Sequence, residues 1–544
     1  MLFRLLVASL FVFASAQAAA DAVPTRQEAA RFLVQASFGP TEREIAAVQA
    51  LGYEGWILEQ FATPGQSARA RIDAHRASEA RTRRYTFRDY FWEQALYAPD
   101  QLRTRMTFAL SQIVVISADG TQMFEAETFA NYVDMLRTAS FGSYGTLIHD
   151  VTFSPLMADY LTYFKNMKAD PRTGRAPDEN YAREVMQLFT IGLEELNLDG
   201  TSKGVETYTS EDVEGLAAVF TGFASPFKLF GRSRLNDNNA DAPLKGYPAF
   251  HEPGPKTFLG TTIPGNLPPE ESVRRALDHL LKHPNVAPFI SKQLIQKFIT
   301  SNPSPAYVER IARVFNNGQY TLPSGTPVGS GDRGDLKPVI AAILLDPEAR
   351  DGARADDPDF GKVREPVLRL AHTLRVLSDP DAEASTTGAL PNVKTLRKPD
   401  AMHNQLVFSP PSVFGFYRPG YVAAGTEAAR QGMVAPEMQL MTNDHIISQA
   451  RYLTNVMREN PPEFFLRDDA RLFRAAERPR VLVAELEAML TYGRLGPSVR
   501  RQIERAVAEI DVSASGKRRT KDLYRRLMIA TMMLTTTPEF MVQR

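Results

Sequence analysis

The stretch DENYAREVMQLFTIG (178–192), followed after a short turn by YTSEDVEGLAAVFTG (208–222), decides how the chain is read. In the first segment Asn180, Arg183, Glu184, Gln187 and Thr190 recur at helical spacing on one face, while Tyr181, Ala182, Val185, Met186, Leu188 and Phe189 share the other. The polar face mixes amide, guanidinium, carboxylate and hydroxyl groups and contains no Lys, which suits a hydrogen-bonded network. An amphipathic helix with a solvated face, a buried structural network, and a ligand or catalytic site all produce such a pattern. In the second segment Thr209-x-x-Asp212 is a capping box, and Val213, Leu216, Ala217 and Phe220 keep the apolar helical period. Glu211 and Asp212 fall in the first turn, where the helix dipole favours carboxylates, and Gly222 is placed to close the helix.

Helical spacing continues on both sides of this pair. Capping boxes at Thr25/Glu28 and Thr41/Glu44 flank the turn Ser37-Phe38-Gly39-Pro40. Apolar periodicity predicts helices over 52–61, 99–117, 123–138, 144–150, 154–163, 335–345 and 362–377, two more within 269–301, and a helical tail from 437. Two stretches break the pattern: 223–269, rich in Gly, Pro, Asn and Asp, and 378–436, which contains FSPPSVFGF. The expected fold is mainly α, a multi-helix globular array with two long irregular segments and little β structure. Its expected organisation is a leader (1–20) and one helical domain (21–544), with room for two lobes (21–222 and 270–544) joined by 223–269. Aromatic residues between 85 and 132 recur at core spacing, which favours packing over a carbohydrate platform. The Arg-rich run 69–88 carries interleaved acids and reads as a solvated face.

Residues 1–20 have the layout of a secretory signal peptide: Arg4, an apolar run over 5–13, and Ala16-Gln17-Ala18 as the cleavage site. A single Arg before the apolar run indicates a Sec-type route, so the mature chain is expected in the periplasm or outside the cell. Any divalent metal would then be acquired after export. Lys plus Arg (63) balance Asp plus Glu (63), so no basic field points to nucleic acid, and beyond the leader no apolar run is long enough to span a membrane. The chain has no Cys, which excludes disulfides, iron–sulfur clusters and thiolate zinc sites.

Several segments carry a resemblance: ARFLVQASFGPT (30–41), the two central segments, HEPGPKTFLG (251–260), GKVREP (361–366), FSPPSVFGF (408–416) and the terminal TTPEFMVQR. In this order, over nearly the whole chain, they resemble the bacterial "domain of unknown function 1800" family. The resemblance implies an exported protein and, from the habit of their genes to lie side by side, a partner in the exported "domain of unknown function 1501" family. It implies no activity. This chain has Gln187 where the resemblance leads us to expect Glu, and Asp178 where it leads us to expect Asn, which counts against a metal role at the first of these.

Within the polar stripe Glu184 is the candidate general base or metal ligand, and Arg183 the stabiliser of an anion or transition state. His251 is a second acid/base or ligand, and Glu211 or Asp212 would orient it or complete a metal set with Glu184 and His251. Asn180, Gln187, Lys256 and Arg364 are candidate substrate contacts. Other motifs fail on spacing. Asp237, Asn239 and Asp241 lack the Gly and Glu of a calcium loop, His279 and His283 lack HExxH, and Gly329-x-Gly331-x-x-Gly334 has no βαβ unit around it. The resulting expectation is an envelope or secreted enzyme, a hydrolase of unknown substrate that is metal-assisted in one version. The alternative is a non-catalytic envelope binding or assembly factor.

Overall fold

Three reciprocal caps set three helix starts. The computed structural model describes residues 23–78, 86–120, 125–227, 229–232, 242–377, 405–442, 448 and 471–544. In it the Thr25, Thr41 and Thr209 hydroxyls accept from the N3 backbone N–H, and the N3 carboxylate accepts from the cap in return. The helices that follow are Arg26–Ala36, Glu42–Ala62, kinked at Gly52, and Ser210–Val219. The leader, the Asp237/Asn239/Asp241 cluster and Arg81, Arg83 and Arg84 lie outside the described residues.

The fold is mainly α. The expected helices appear as Gln101–Ser111, Ala126–Ala139, Tyr144–Thr152, Pro155–Tyr160, Pro269–Leu281, Val286–Phe298 and Leu336–Leu345. One expectation is corrected at its start: Lys362–Val363 is a strand, antiparallel to Val542–Gln543, and the helix runs Pro366–Leu377. Proline suits a first helical turn and drives the residue before it out of the helical region, so the helix cannot reach back to Lys362. The remaining strands are antiparallel pairs of two: Glu194–Leu196 with Ser202–Glu206, Phe223–Ala224 with Lys245–Gly246, Lys256–Phe258 with Thr261–Ile263, and Tyr320–Thr321 with Pro327–Val328. Two of these pairs give the segment 223–269 its order. Among the described residues no helix is long and apolar enough to cross a membrane.

One hydrophobic cluster extends from Ala29 to Phe540 and takes in the described rings of the aromatic run, with Phe87 stacked on Phe129 at 4.6 Å and Phe91, Trp92 and Phe108 buried, while Tyr85 and Phe124 lie outside the described residues. These rings therefore pack the core. Arg375 bolts the first helices onto helix Pro366–Leu377: its guanidinium donates to the carbonyls of Gly39 (2.7 Å), Ala95 (3.2 Å) and Leu96 (2.8 Å) and pairs with Glu44. Gly39 sits at φ 120°, and a Cβ there would stand 2.5 Å from His372 Cδ2. Gly39→Ala combines backbone strain with a clash against buried atoms and should destabilise the protein by about 2–5 kcal/mol, read as a lower urea midpoint with unchanged slope.

Candidate functional site

Helix Asn180–Gln187 buries Tyr181, Ala182, Val185 and Met186 and sets its polar stripe beside Tyr160 and Tyr208. The stripe has an open rim and a closed floor. On the rim Arg183, 43% exposed, pairs with Glu179 at 3.0 Å, and Gln187 Oε1 accepts from the Tyr208 hydroxyl at 3.3 Å. Asn180 donates from Nδ2 to Thr162 Oγ1 at 3.3 Å. On the floor Glu184 is 7% exposed, and its Oε2 is buried without a hydrogen-bond partner. Burial pushes the Glu184 carboxyl up, against the opposing pull of Arg183. Tyr160 is pushed up to about 12 by burial and by the Glu184 charge. A carboxyl lifted in this way holds its proton closer to neutrality and is equipped for acid–base work.

His251 belongs to a second group. Its Nδ1 lies 2.9 Å from the Thr221 carbonyl, which can only accept, so Nδ1 carries the hydrogen and Nε2 accepts from Ser272 Oγ at 3.1 Å. Burial holds the imidazole below its usual pKa, in the neutral form, and Lys256 adds to the effect. Lys256 is 1% exposed, with Nζ buried and unpartnered, and burial disfavours its charge. The structure thus places His251 beside Lys256, and Glu184 beside Arg183 and Gln187. Asn166 links the two groups, accepting from the backbone of Asp178 (2.9 Å) and of Gly222 (2.7 Å). Gly222 is not the helix cap, since the helix ends at Val219 with Phe220 as cap. Its φ is 82°, and a Cβ there would stand 2.8 Å from His251 N, so this glycine admits the histidine loop. Ser272 carries no mark in the sequence PPEESVRR that would single it out.

Glu211 and Asp212 serve the helix start. The exposed Glu211 carboxyl is held low by hydrogen bonds to its own backbone and to Thr209. Asp212 accepts from Thr209 N (2.8 Å) and Leu259 N (2.6 Å), which ties the hairpin of HEPGPKTFLG to the helix. His279 Nε2 donates to the Leu259 carbonyl at 3.0 Å, and His283 Nδ1 accepts from Asn285 N at 3.2 Å. Among the described residues no group of three or more His, Asp or Glu is placed to hold a metal ion. The contacts of Arg364 lie elsewhere: it donates to His372 Nδ1 at 2.8 Å and to the Phe540 carbonyl at 3.3 Å, buried over the Phe540 ring.

The residues next to Arg364 build a third group, which helical periodicity does not mark. Lys362 Nζ pairs with Glu437 at 2.8 Å and donates to the carbonyls of Gln296 (2.6 Å) and Lys297 (3.1 Å). Glu365 accepts from Gln112 Nε2 (3.0 Å) and from Gln405. Lys297 Nζ lies 2.8 Å from Gln112 Oε1 and 3.0 Å from the Tyr417 hydroxyl. Arg105 is buried beside them, donating to the Lys297 carbonyl and stacked over Phe298. Burial pushes Glu365 up, but Lys297, Lys362 and Arg105 outweigh it and hold the carboxyl below its usual value.

Glu184 yields a pH test. Its folded-state pKa lies above the unfolded value, so its stabilising share is complete at low pH and is lost as pH rises through the raised pKa. Glu184→Gln should therefore raise Tm relative to the parent at pH 8 and change it little at pH 4, as paired thermal melts would record.

A family model described as "Protein of unknown function (DUF1800)" matches residues 31–542. No curated protein and no solved structure matches the chain.

Proposed function

The chain belongs to the DUF1800 family, and on that premise, which brings no activity with it, we propose that it is an exported hydrolytic enzyme whose acid–base group is Glu184. The observation that carries the proposal is the buried, unpartnered Glu184 Oε2 beneath a rim of partly exposed polar groups. A buried polar atom without a partner costs stability, and such atoms are kept where a ligand or a proton transfer completes them. In this reading Glu184 moves the proton, Arg183 stabilises developing negative charge, and Asn180 and Gln187 orient the substrate. His251 and Lys256 stay outside this set, in a separate group joined to the stripe through the Asn166 contacts, where the neutral imidazole accepts from Ser272. The proposal takes the metal-free form, because Asp212 is spent on Thr209 and Leu259 and the candidate ligands do not converge.

A second reading, a docking factor for another exported protein such as one of the DUF1501 family, draws on a different observation. The strand Ser202–Glu206 of the hairpin is exposed along its length, with Val205 on it and Leu193 just before its partner strand both more than half exposed.

A hydrolase panel of ester, amide and glycoside substrates separates the two. The purified protein should turn over one class, and Glu184→Gln should lower kcat by roughly 10²-fold or more with no loss of Tm. Equal turnover by both proteins would remove Glu184 from the mechanism.

A further inference from the structure

The chain's charges balance as a whole, but not along its length. Residues 471–526 carry fourteen Lys and Arg against seven Asp and Glu, so this stretch is basic and the remainder acidic. It spans helices Arg471–Ala475, Pro479–Leu490 and Pro497–Ala508 and the first half of Gly516–Thr535. The start of Pro479–Leu490 and the second half of Pro497–Ala508 wall an open groove of about 680 Å³, a size that suits a small ligand. The groove shares no lining residue with the Glu184 site.

Four of its lining residues are arginines, Arg478, Arg480, Arg501 and Arg505, all exposed, and its two carboxylates, Glu477 and Glu504, are already engaged. Glu477 pairs with Arg519 at 2.6 Å, and Glu504 lies 3.9 Å from Arg480. Arg478, Arg501 and Arg505 have no ion pair or side-chain hydrogen bond among the described residues. Arg501 and Arg505 stand one turn apart on the same helix, a like-charge spacing that weakens a helix unless an anion sits between the two. Arginines scattered singly over a surface need no ligand, whereas three unspent guanidiniums lining one concave space raise its potential together. Helix Pro479–Leu490 adds its positive end, which no side chain caps.

We propose that the groove binds a pyrophosphate group, carried either by the inorganic ion or by a soluble ester such as a nucleoside diphosphate. Guanidinium forks match the paired oxygens of a phosphate and grip two of them at once. A single phosphate brings about two negative charges at neutral pH, fewer than the three unspent arginines, whereas two joined phosphates supply the balance from one compact group. Binding here needs no turnover, so it stands apart from the Glu184 reading.

The test is isothermal titration of the purified protein with sodium pyrophosphate, free of magnesium, at neutral pH and about 0.15 M salt. Pyrophosphate should bind at a single site, at least about tenfold tighter than orthophosphate, and tighter than citrate, whose charge is spread over separate carboxylates. Arg501→Gln and Arg505→Gln should each weaken it by roughly tenfold with unchanged Tm. Arg501→Lys should restore only part of the loss, because an ammonium lacks the fork. Arg313→Gln, at an exposed arginine already paired with Glu309, should leave the affinity unchanged. Adenosine diphosphate bound tighter than pyrophosphate assigns the site to the esterified group, and equal or weaker binding assigns it to the inorganic ion. No saturable heat at this salt, orthophosphate or citrate bound as tightly as pyrophosphate, or both groove variants binding like the parent overturns the proposal.

Discussion

The Lys362–Glu437 ion pair is the contact on which the packing of helix Val286–Phe298 against strand Lys362–Val363 and the segment 405–440 turns. Both side chains are sealed from water, so the pair adds little net stability over an apolar replacement, yet removing one partner strands the other charge at a cost of about 3–5 kcal/mol. Its worth is positional. The carbonyls near the C-terminal end of helix Val286–Phe298 face inward without helical partners, and a helix end of that kind attracts donors and positive charge. Lys362, Arg105 and Gln543 supply them: Lys362 on Gln296 and Lys297, Arg105 on Lys297, and Gln543 on Phe298 and Ile299. One helix terminus thereby fixes where the strand Lys362–Val363, its partner Val542–Gln543 and the short 3-10 helix Pro436–Leu440 that bears Glu437 must lie.

Buried arginines repeat this logic elsewhere. Arg375 satisfies the carbonyls of Gly39, Ala95 and Leu96, and Arg364 meets a histidine whose other nitrogen donates to the Met489 carbonyl. In a chain without cysteine, planar many-donor side chains take over the work of cross-linking distant segments.

What could be read from the sequence follows from the range of each signal. Capping boxes are complete within four residues, so Thr25/Glu28, Thr41/Glu44 and Thr209/Asp212 were legible as helix starts, and apolar periodicity placed helices such as Ala126–Ala139, Tyr144–Thr152 and Leu336–Leu345 to within a few residues, whereas it ran the helix Gln101–Ser111 on to 117 and left Pro305–Asn317 unmarked. The polar stripe was visible for the same reason, but its depth was not. Spacing could not tell that Glu184 is buried while Arg183, one residue before it, reaches the surface. The group around Glu365 was invisible to periodicity because its members, Arg105, Gln112, Lys297, Lys362, Gln405, Tyr417 and Glu437, come from separate elements. The segments GKVREP and FSPPSVFGF, which carry the family resemblance, either supply its members or end beside them. Ser272 had no local signal at all, and its role beside His251 exists only in three dimensions.

The bolts that join Arg375 to Gly39 and Arg88 to Val407 span 336 and 319 residues of chain. Closing loops of that length costs entropy before any contact rewards it, whereas each helix closes on its own neighbours. The tempo of maturation is accordingly governed by encounters between remote segments. Until those meet, a newly made chain keeps its inward-facing charges hydrated and stays pliable, a condition in which a polypeptide can still be threaded, held or delivered.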